Sequence, residues 1–272
     1  MARVHTERYR IEPGKKVKRE RWEPGDTSGF SGSEDEARNE SAALDRKLDQ
    51  LQEMLYAEHK HRVLIVLQAM DTGGKDGIIR RIFEGVNPSG VRVEHFREPT
   101  PEDLAHDFLW RVHPKVPANG EIVIFNRSHY EDVLVARVHK LVPREVWETR
   151  YRQINDFERA LAEQNTTVLK FYLHIDKEEQ KKRLQERLDD PNKEWKFSRD
   201  DLLERELWDE YMKAYEEAIE MTSTSWAPWY LVPGNHKWFR DLLVASVVVS
   251  HLEDFRMKYP RLPKSERTAK IS

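Results

Sequence analysis

The segment Leu64-Ile65-Val66-Leu67-Gln68-Ala69-Met70-Asp71-Thr72-Gly73-Gly74-Lys75-Asp76-Gly77 constrains the fold more than any other part of this chain. An apolar run, Val63 to Leu67, enters a glycine-containing turn, and an amphipathic segment begins near Lys75. The order is strand, phosphate-binding loop, helix. In that order successive backbone N–H groups and a helix N-terminus surround one anion, and the lysine ammonium adds a mobile positive charge. The loop departs from the usual G-x-x-x-x-G-K-[S/T]. Ala69 stands at the first glycine, Asp76 replaces the hydroxyl residue that usually holds Mg²⁺, and Asp71 lies inside the loop. A loop carboxylate can then take the place of the hydroxyl, because Mg²⁺ prefers oxygen ligands. The alternative is an ordinary strand-to-helix turn with a surface lysine. The coincidence of a continuous strand with the Gly-Gly-Lys spacing speaks against it.

The rest of the chain fits an α/β protein. Strands are expected at 62–68, 91–95, 121–125, 167–175 and 229–232, five in all, and several lack polar alternation, as strands buried on both faces do. Helical spacing recurs near 36–58, 76–85, 101–111, 128–140, 143–164, 177–188, 199–222 and 235–257. This alternation predicts a five-stranded parallel sheet flanked by helices, with ligands bound at the carboxyl ends of the strands. Residues 1–36 mix prolines, glycines and charges and read as an extended arm, with Tyr9, Trp22 and Phe30 available to pin it to the body or to another subunit. Residues 37–258 read as one P-loop domain, and 259–272 as a polar tail.

Composition excludes more than it assigns. The 272 residues carry a formal net charge of −3 although 35% are charged, so overall charge selects no partner. There is no cysteine, which removes disulfides and thiolate metal sites. Met1 to Glu20 is basic without an apolar core, and no apolar run approaches the roughly 20 residues of a membrane helix. A cytoplasmic protein that binds neither membrane nor nucleic acid is expected. The eleven histidines show no H-E-x-x-H spacing, and no G-x-S-x-G or N-K-x-D segment is present. Trp226, Trp229 and Trp238 suit core packing better than base stacking.

Two further stretches bear chemistry. Asn126-Arg127-Ser128-His129-Tyr130-Glu131-Asp132 follows the third strand, where an arginine can bind phosphate oxygens in a bidentate way. With a helix starting near Ser128, Glu131 or Asp132 faces the same crevice and reaches a metal, or the two simply favour the helix dipole. The second stretch is 177–207. Arg183 and Arg187 share a helix face, Asp189-Asp190-Pro191-Asn192 breaks the helix, and Lys193, Lys196 and Arg199 follow before a helix capped by Ser198. It reads either as a lid that brings cations onto a transferring phosphoryl group or as a salt-bridged hairpin with Glu186, Asp189, Asp200, Asp201 and Glu204.

Asp71-Thr72-Gly73-Gly74-Lys75-Asp76-Gly77, Phe125-Asn126-Arg127-Ser128-His129-Tyr130-Glu131-Asp132-Val133, Trp195-Lys196-Phe197-Ser198, Pro228 to Pro233 and His236-Lys237-Trp238-Phe239-Arg240 together resemble the type 2 polyphosphate kinase family. The resemblance spans roughly residues 40 to 257. It implies a P-loop kinase fold like that of thymidylate kinases, with a helical lid. It also implies Mg²⁺-dependent, reversible phosphoryl transfer from inorganic polyphosphate to a nucleotide, with Mn²⁺ as a possible substitute. Asn126, where other members carry Asp, points to the subgroup that accepts both AMP and ADP and yields ADP and ATP. Pro233-Gly234-Asn235 departs from the acidic stretch expected there.

The roles that follow are expectations. Lys75, Arg127, Arg183 and Arg187 line the point of transfer, and Thr72, Gly73, Gly74, Asp76 and Gly77 cradle phosphate. Arg80, Arg81, Lys193 and Lys196 guide the chain, while Asn126, Arg127 and Glu131 meet the nucleotide. Asp71 and Asp132 hold the metal and complete the catalytic set. A homodimer or tetramer is expected. The rivals are an ATP-dependent nucleotide or nucleoside kinase and a non-catalytic binder of nucleotide or nucleic acid.

Overall fold

The computed structural model describes residues 4–18, 22–263 and 267. Five strands, β1 (Arg62–Gln68), β2 (Val91–His95), β3 (Ile122–Asn126), β4 (Thr166–His174) and β5 (Trp229–Pro233), form one sheet in the order β2-β3-β1-β4-β5. Every pairing is parallel. The chain starts at the central strand, fills one side and then the other. The carboxyl ends of β1, β3 and β4 therefore open onto a common crevice.

Alternation along β1 divides the core. Val63, Ile65 and Leu67 point to one face, against α1 (Glu34–Glu58), α2 (Lys75–Ile82) and α9 (Lys237–Asp254). Leu64 and Val66 point to the other, against α5 (Arg144–Glu163) and α8 (Trp208–Thr222). The start of α1 is fixed by a capping box in which Ser33 and Glu36 satisfy each other's backbone N–H. None of the described helices is long and apolar enough to cross a membrane.

Three expected helices are shorter than their spacing suggests. Near 101–111 only α3 (Pro101–Leu104) is helical, because the Asp107 side chain takes the Leu109 N–H and turns the chain. Near 128–140 a 3₁₀ turn, His129–Asp132, precedes α4 (Val135–Val138). There His129 and Tyr130 are drawn into the core and the backbone cannot keep a regular helix. The segment near 199–222 breaks at Leu207 into α7 (Asp200–Glu206) and α8. Ser198 accepts the Asp200 N–H, but Arg199 occupies the cap position without a side-chain bond.

The amino-terminal arm belongs to the body. Arg10 bridges Tyr230 antiparallel, Ile11 N–H donates to the Trp229 carbonyl, and Ser223 Oγ donates to the Ile11 carbonyl. Tyr9 packs edge-on to Phe239, and Trp22 lies 5.5 Å from both Tyr172 and His174. The arm thus covers the outer edge at β5, as an exposed edge strand requires. Of the expected polar tail, 264–266 and 268–272 lie outside the described residues. Trp22→Ala is expected to lower the unfolding free energy by about 3 kcal/mol in urea titration, the cost of deleting a buried aromatic. A loosely attached arm would give a change below about 0.5 kcal/mol.

Candidate active site

The loop after β1 takes its shape from two residues with positive φ, Thr72 at 62° and Gly74 at 104°. Gly74 has a second constraint, since a Cβ there would collide with the Arg240 guanidinium. The loop delivers Lys75 to the first turn of α2, and its ammonium donates to the Ala69 carbonyl at 2.9 Å. Loss of water around Lys75, and then the neighbouring Arg127 charge, lower its pKa to about 8. Asp71, Glu131 and Asp76 pull the other way without cancelling that shift.

Arg127 is the hub. It follows β3 with φ 61°, and its guanidinium bridges Asp71 Oδ1 at 2.6 Å and Glu131 Oε2 at 3.2 Å. Glu131 and Asp71 hold it firmly charged against the cost of burial. Beside it Asn126 Nδ2 donates to Asp76 Oδ1 at 2.6 Å. An amide suits that neighbour, because a carboxylate at 126 would set two negative charges together. Asp76, standing where a hydroxyl is usual, is therefore occupied by Asn126.

Arg183 clamps the base of α6 (Lys177–Asp189) to two loops. It donates to the Thr72 carbonyl at 3.1 Å, to the Gly234 carbonyl at 2.6 Å and to Glu179 at 2.7 Å. It is almost fully buried, so this arginine belongs to the rigid floor and not to a swinging segment. Farther along α6, Arg187 donates to the Lys196 carbonyl and to Asp201. The lid and salt-bridge readings of 177–207 thus describe the same residues: the cations face a cavity while carboxylates and carbonyls hold them.

Three cavities meet at Arg127. The first, about 590 Å³, is lined by Asp71 to Gly77, Arg80, Asn126, Arg127, Arg183, Glu186, Arg187, Lys193, Lys196, Lys237 and Arg240. It gathers the expected phosphate-binding residues in one place. The second, about 340 Å³, lies under α7 and is lined by Asp71, Arg127, Glu131, Asp200, Asp201, Glu204, Tyr211 and Tyr215 among others. The third, about 560 Å³ and more apolar, includes Phe96, Pro99, Arg111, Arg127, Glu131, Asp132, Val135 and Leu141.

Two placements differ from the sequence reading. Asp132 lines the third cavity, whereas Asp71 lines the first two. Asp132 is bound by Arg150 at 3.4 Å and Arg111 at 3.6 Å. Burial raises its carboxyl, with both arginines opposing. Its Oδ2 is buried without a hydrogen-bond partner among the described residues. Arg81 is turned away to Asp45 at 2.6 Å and does not line the cation-rich cavity. Conversely, Lys237 and Arg240 line that cavity and were not foreseen. Their signal was available, since both lie shortly after β5 at the carboxyl edge of the sheet.

No group of three or more histidine, aspartate or glutamate side chains among the described residues is arranged to hold a metal alone. Mg²⁺ rarely needs such a cage, since one or two carboxylates plus phosphate oxygens and water suffice. Asp71 fits that mode. Asp201, in the second cavity, has its carboxyl raised by burial and then by the Asp71 charge, a repulsion that a divalent cation would relieve.

A family model described as polyphosphate kinase 2 matches residues 31–260. The chain belongs to the polyphosphate kinase 2 family. It is 58% identical to the AMP/ADP-polyphosphate phosphotransferase of Meiothermus ruber, covering 93% of this chain and 95% of that one. It is 40% identical to the ADP-polyphosphate phosphotransferase of Rhodopseudomonas palustris, over 97% and 96% of the two chains. The crystal structure of polyphosphate kinase 2 from Arthrobacter aurescens matches with a TM-score of 0.93 at 44% identity, covering 98% of this chain and 96% of that one. The family assignment and the five-stranded parallel sheet with flanking helices agree with the sequence reading.

The Lys75 environment has a measurable consequence. A bound polyanion raises the lysine pKa, so binding takes up a proton once the free protein has lost it above about pH 8. Affinity for tripolyphosphate, used as an anion probe in calorimetry, is expected to fall by up to about tenfold per pH unit above that point. Lys75→Arg is expected to flatten that part of the profile, since a guanidinium stays charged. The same slope in both proteins would place the titration elsewhere.

Proposed function

We propose that this protein transfers a phosphoryl group from inorganic polyphosphate to AMP and ADP, giving ADP and ATP, and that the reaction runs in both directions. One observation carries the choice of donor. The cation-rich cavity is lined only by glycines and by charged or polar side chains. It offers repeated positive charge and no apolar side chain to seat a base. A linear polyanion needs nothing else, whereas an ATP donor needs a seat for adenine. The names of the relatives, 58% and 40% identical, support the same substrates.

The acceptor is assigned to the third cavity, where Phe96, Pro99, Val135 and Leu141 provide apolar surface and Arg111 and Arg127 provide charge. Asn126, Arg127 and Glu131 then meet the acceptor phosphate. Thr72 to Gly77 cradle the donor, Lys75, Arg127 and Arg183 stand at the point of transfer, and Arg80, Arg187, Lys193 and Lys196 lead the chain in. Arg240 and Lys237 join that path. Asp71 is the residue assigned to hold Mg²⁺, or Mn²⁺, which supplies charge neutralisation between donor and acceptor oxygens when bound. Asp132 orients Arg111 and Arg150 beside the acceptor. A phosphate acceptor is already a nucleophile at neutral pH. The residues therefore contribute alignment and electrostatics, not a strong general base.

The deciding experiment is turnover of purified protein with Mg²⁺ and polyphosphate, offering AMP and ADP separately and following nucleotides by chromatography. ADP and ATP are expected from AMP, and ATP from ADP. Lys75→Ala should lower turnover by about a hundredfold or more without changing the circular dichroism spectrum. Product that depends on ATP and not on polyphosphate would replace this reading with an ATP-dependent kinase.

A further inference from the structure

A buried charge cluster outside these cavities stands directly behind the turn that carries Arg127. Lys170 on β4 and Glu158 on α5 are wholly buried. Lys170 Nζ donates to Glu158 Oε2 at 2.5 Å, to Tyr130 Oη at 2.9 Å and to the Thr222 carbonyl at 2.7 Å. Tyr130 Oη in turn donates to Glu158 Oε1 at 2.9 Å, and His129 Nε2 lies 3.3 Å from the same oxygen. An ion pair in such a place is a poor device for stability, because apolar residues of similar volume often do as well or better.

What this cluster does is local. It ties two consecutive residues, His129 and Tyr130, to α5 and β4. They follow Arg127, whose left-handed backbone is unfavourable for a residue with a Cβ and persists only where the surroundings impose it. From the other side Gln68 Nε2 donates to Ser128 Oγ at 3.0 Å, and that oxygen accepts the Tyr130 N–H at 3.1 Å. Both tethers hold the residues that follow Arg127, while the Arg127 N–H itself donates to the Leu67 carbonyl of β1 at 3.2 Å, and its guanidinium emerges between Asp71 and Glu131.

We propose that Glu158, Lys170 and Tyr130 form a positioning device for the transfer reaction, fixing the strained turn so that the Arg127 guanidinium is aimed at the transferring phosphoryl group before substrate arrives. None of the three touches substrate; they act through Arg127. The inference rests on the phosphotransfer reading for its kinetic consequences, and on geometry alone for the placement of Arg127.

Glu158→Gln alone leaves Lys170 without a counter-charge and invites unfolding. The test therefore uses Tyr130→Phe, which keeps the ring, and the double substitution Glu158→Gln/Lys170→Met, which removes both charges at similar volume. Both are expected to lower kcat by about tenfold to a hundredfold, the scale of a misplaced catalytic group, with the KM for ADP little changed. In an Arg127→Lys background the same substitutions are expected to cost less than about twofold, the non-additivity of residues acting through one another. Equal losses in both backgrounds would overturn the proposal, because a merely structural role does not depend on Arg127. A second readout needs no turnover. The Arg127 Nε–Hε resonance, assigned by its disappearance in Arg127→Lys, should be sharp in the parent protein and solvent-averaged in the variants. An unchanged resonance overturns the positioning role even when the parent protein shows no polyphosphate-dependent activity, an outcome that would by itself sink the function reading.

Discussion

Crowded positive charge is the constraint to which the carboxyl edge of the sheet answers. Two unit charges 4 Å apart repel by about 4 kcal/mol at an effective dielectric of about 20. A cavity that gathers Lys75, Arg127, Arg183, Arg187 and Arg240 must therefore be compensated before any anion enters. Each of these cations has an internal acceptor: Ala69 for Lys75, Thr72 and Gly234 for Arg183, Lys196 and Asp201 for Arg187, Asp241 for Arg240. Arg127 has two carboxylates. Lys75 is matched only by a carbonyl, close to Arg127, and its pKa is lowered to about 8. Backbone oxygens carry partial charge, so the compensation is incomplete, and this leaves the site receptive to phosphate.

The fold supplies those acceptors from separate places. Arg183 joins the loop after β1 to the loop after β5, so two ends of the sheet share one cation. The arm contributes indirectly. Asn235, one residue beyond Gly234, donates its N–H to the Pro24 carbonyl, and its side chain bonds Asp176 at the start of α6. The outer edge of the sheet, the arm and the start of α6 are thus one connected scaffold. Arg187, Lys193 and Lys196 lie beyond it.

Much of this was legible in the sequence because it is local. The strand–loop–helix around Lys75 and the five apolar strands follow from spacing, and their ends are where Arg127, Lys237 and Arg240 stand. What spacing cannot supply is pairing across the sheet. Lys170 in the middle of an apolar strand is visible as an anomaly, but its partner Glu158 is on a neighbouring helix and looks like any other surface acid until α5 is docked. The same holds for Asp132. Its position one turn after Arg127 suggested a metal ligand, while its ion pairs with Arg111 and Arg150, distant in sequence, appear only once the chain is folded. The shortened helices near 101–111 and 128–140 fail for a related reason, since turn-forming side chains and tertiary burial override the apolar period.

On the proposed function, Arg127 also explains why one site can treat two reactants so differently. It lines the cation-rich cavity, which presents no apolar side chain, and the more apolar cavity near Phe96. A reactant on the first side is selected by charge density alone, so any segment of a long polyanion presents equivalent groups to Lys75 and the loop N–H groups. A reactant on the second side meets shape and apolar area as well, which favours a molecule with a base at one end and phosphate at the other. Both reactants bring negative charge to the boundary. Asp71 and Glu131 must then share Arg127 with phosphate oxygens. Their two carboxylates keep the guanidinium in place while the site is empty, and the exchange of one acceptor for another costs less than desolvating a free arginine. Holding Arg127 beforehand moves that ordering cost into the folding of the protein, where the buried cluster behind the turn can bear it.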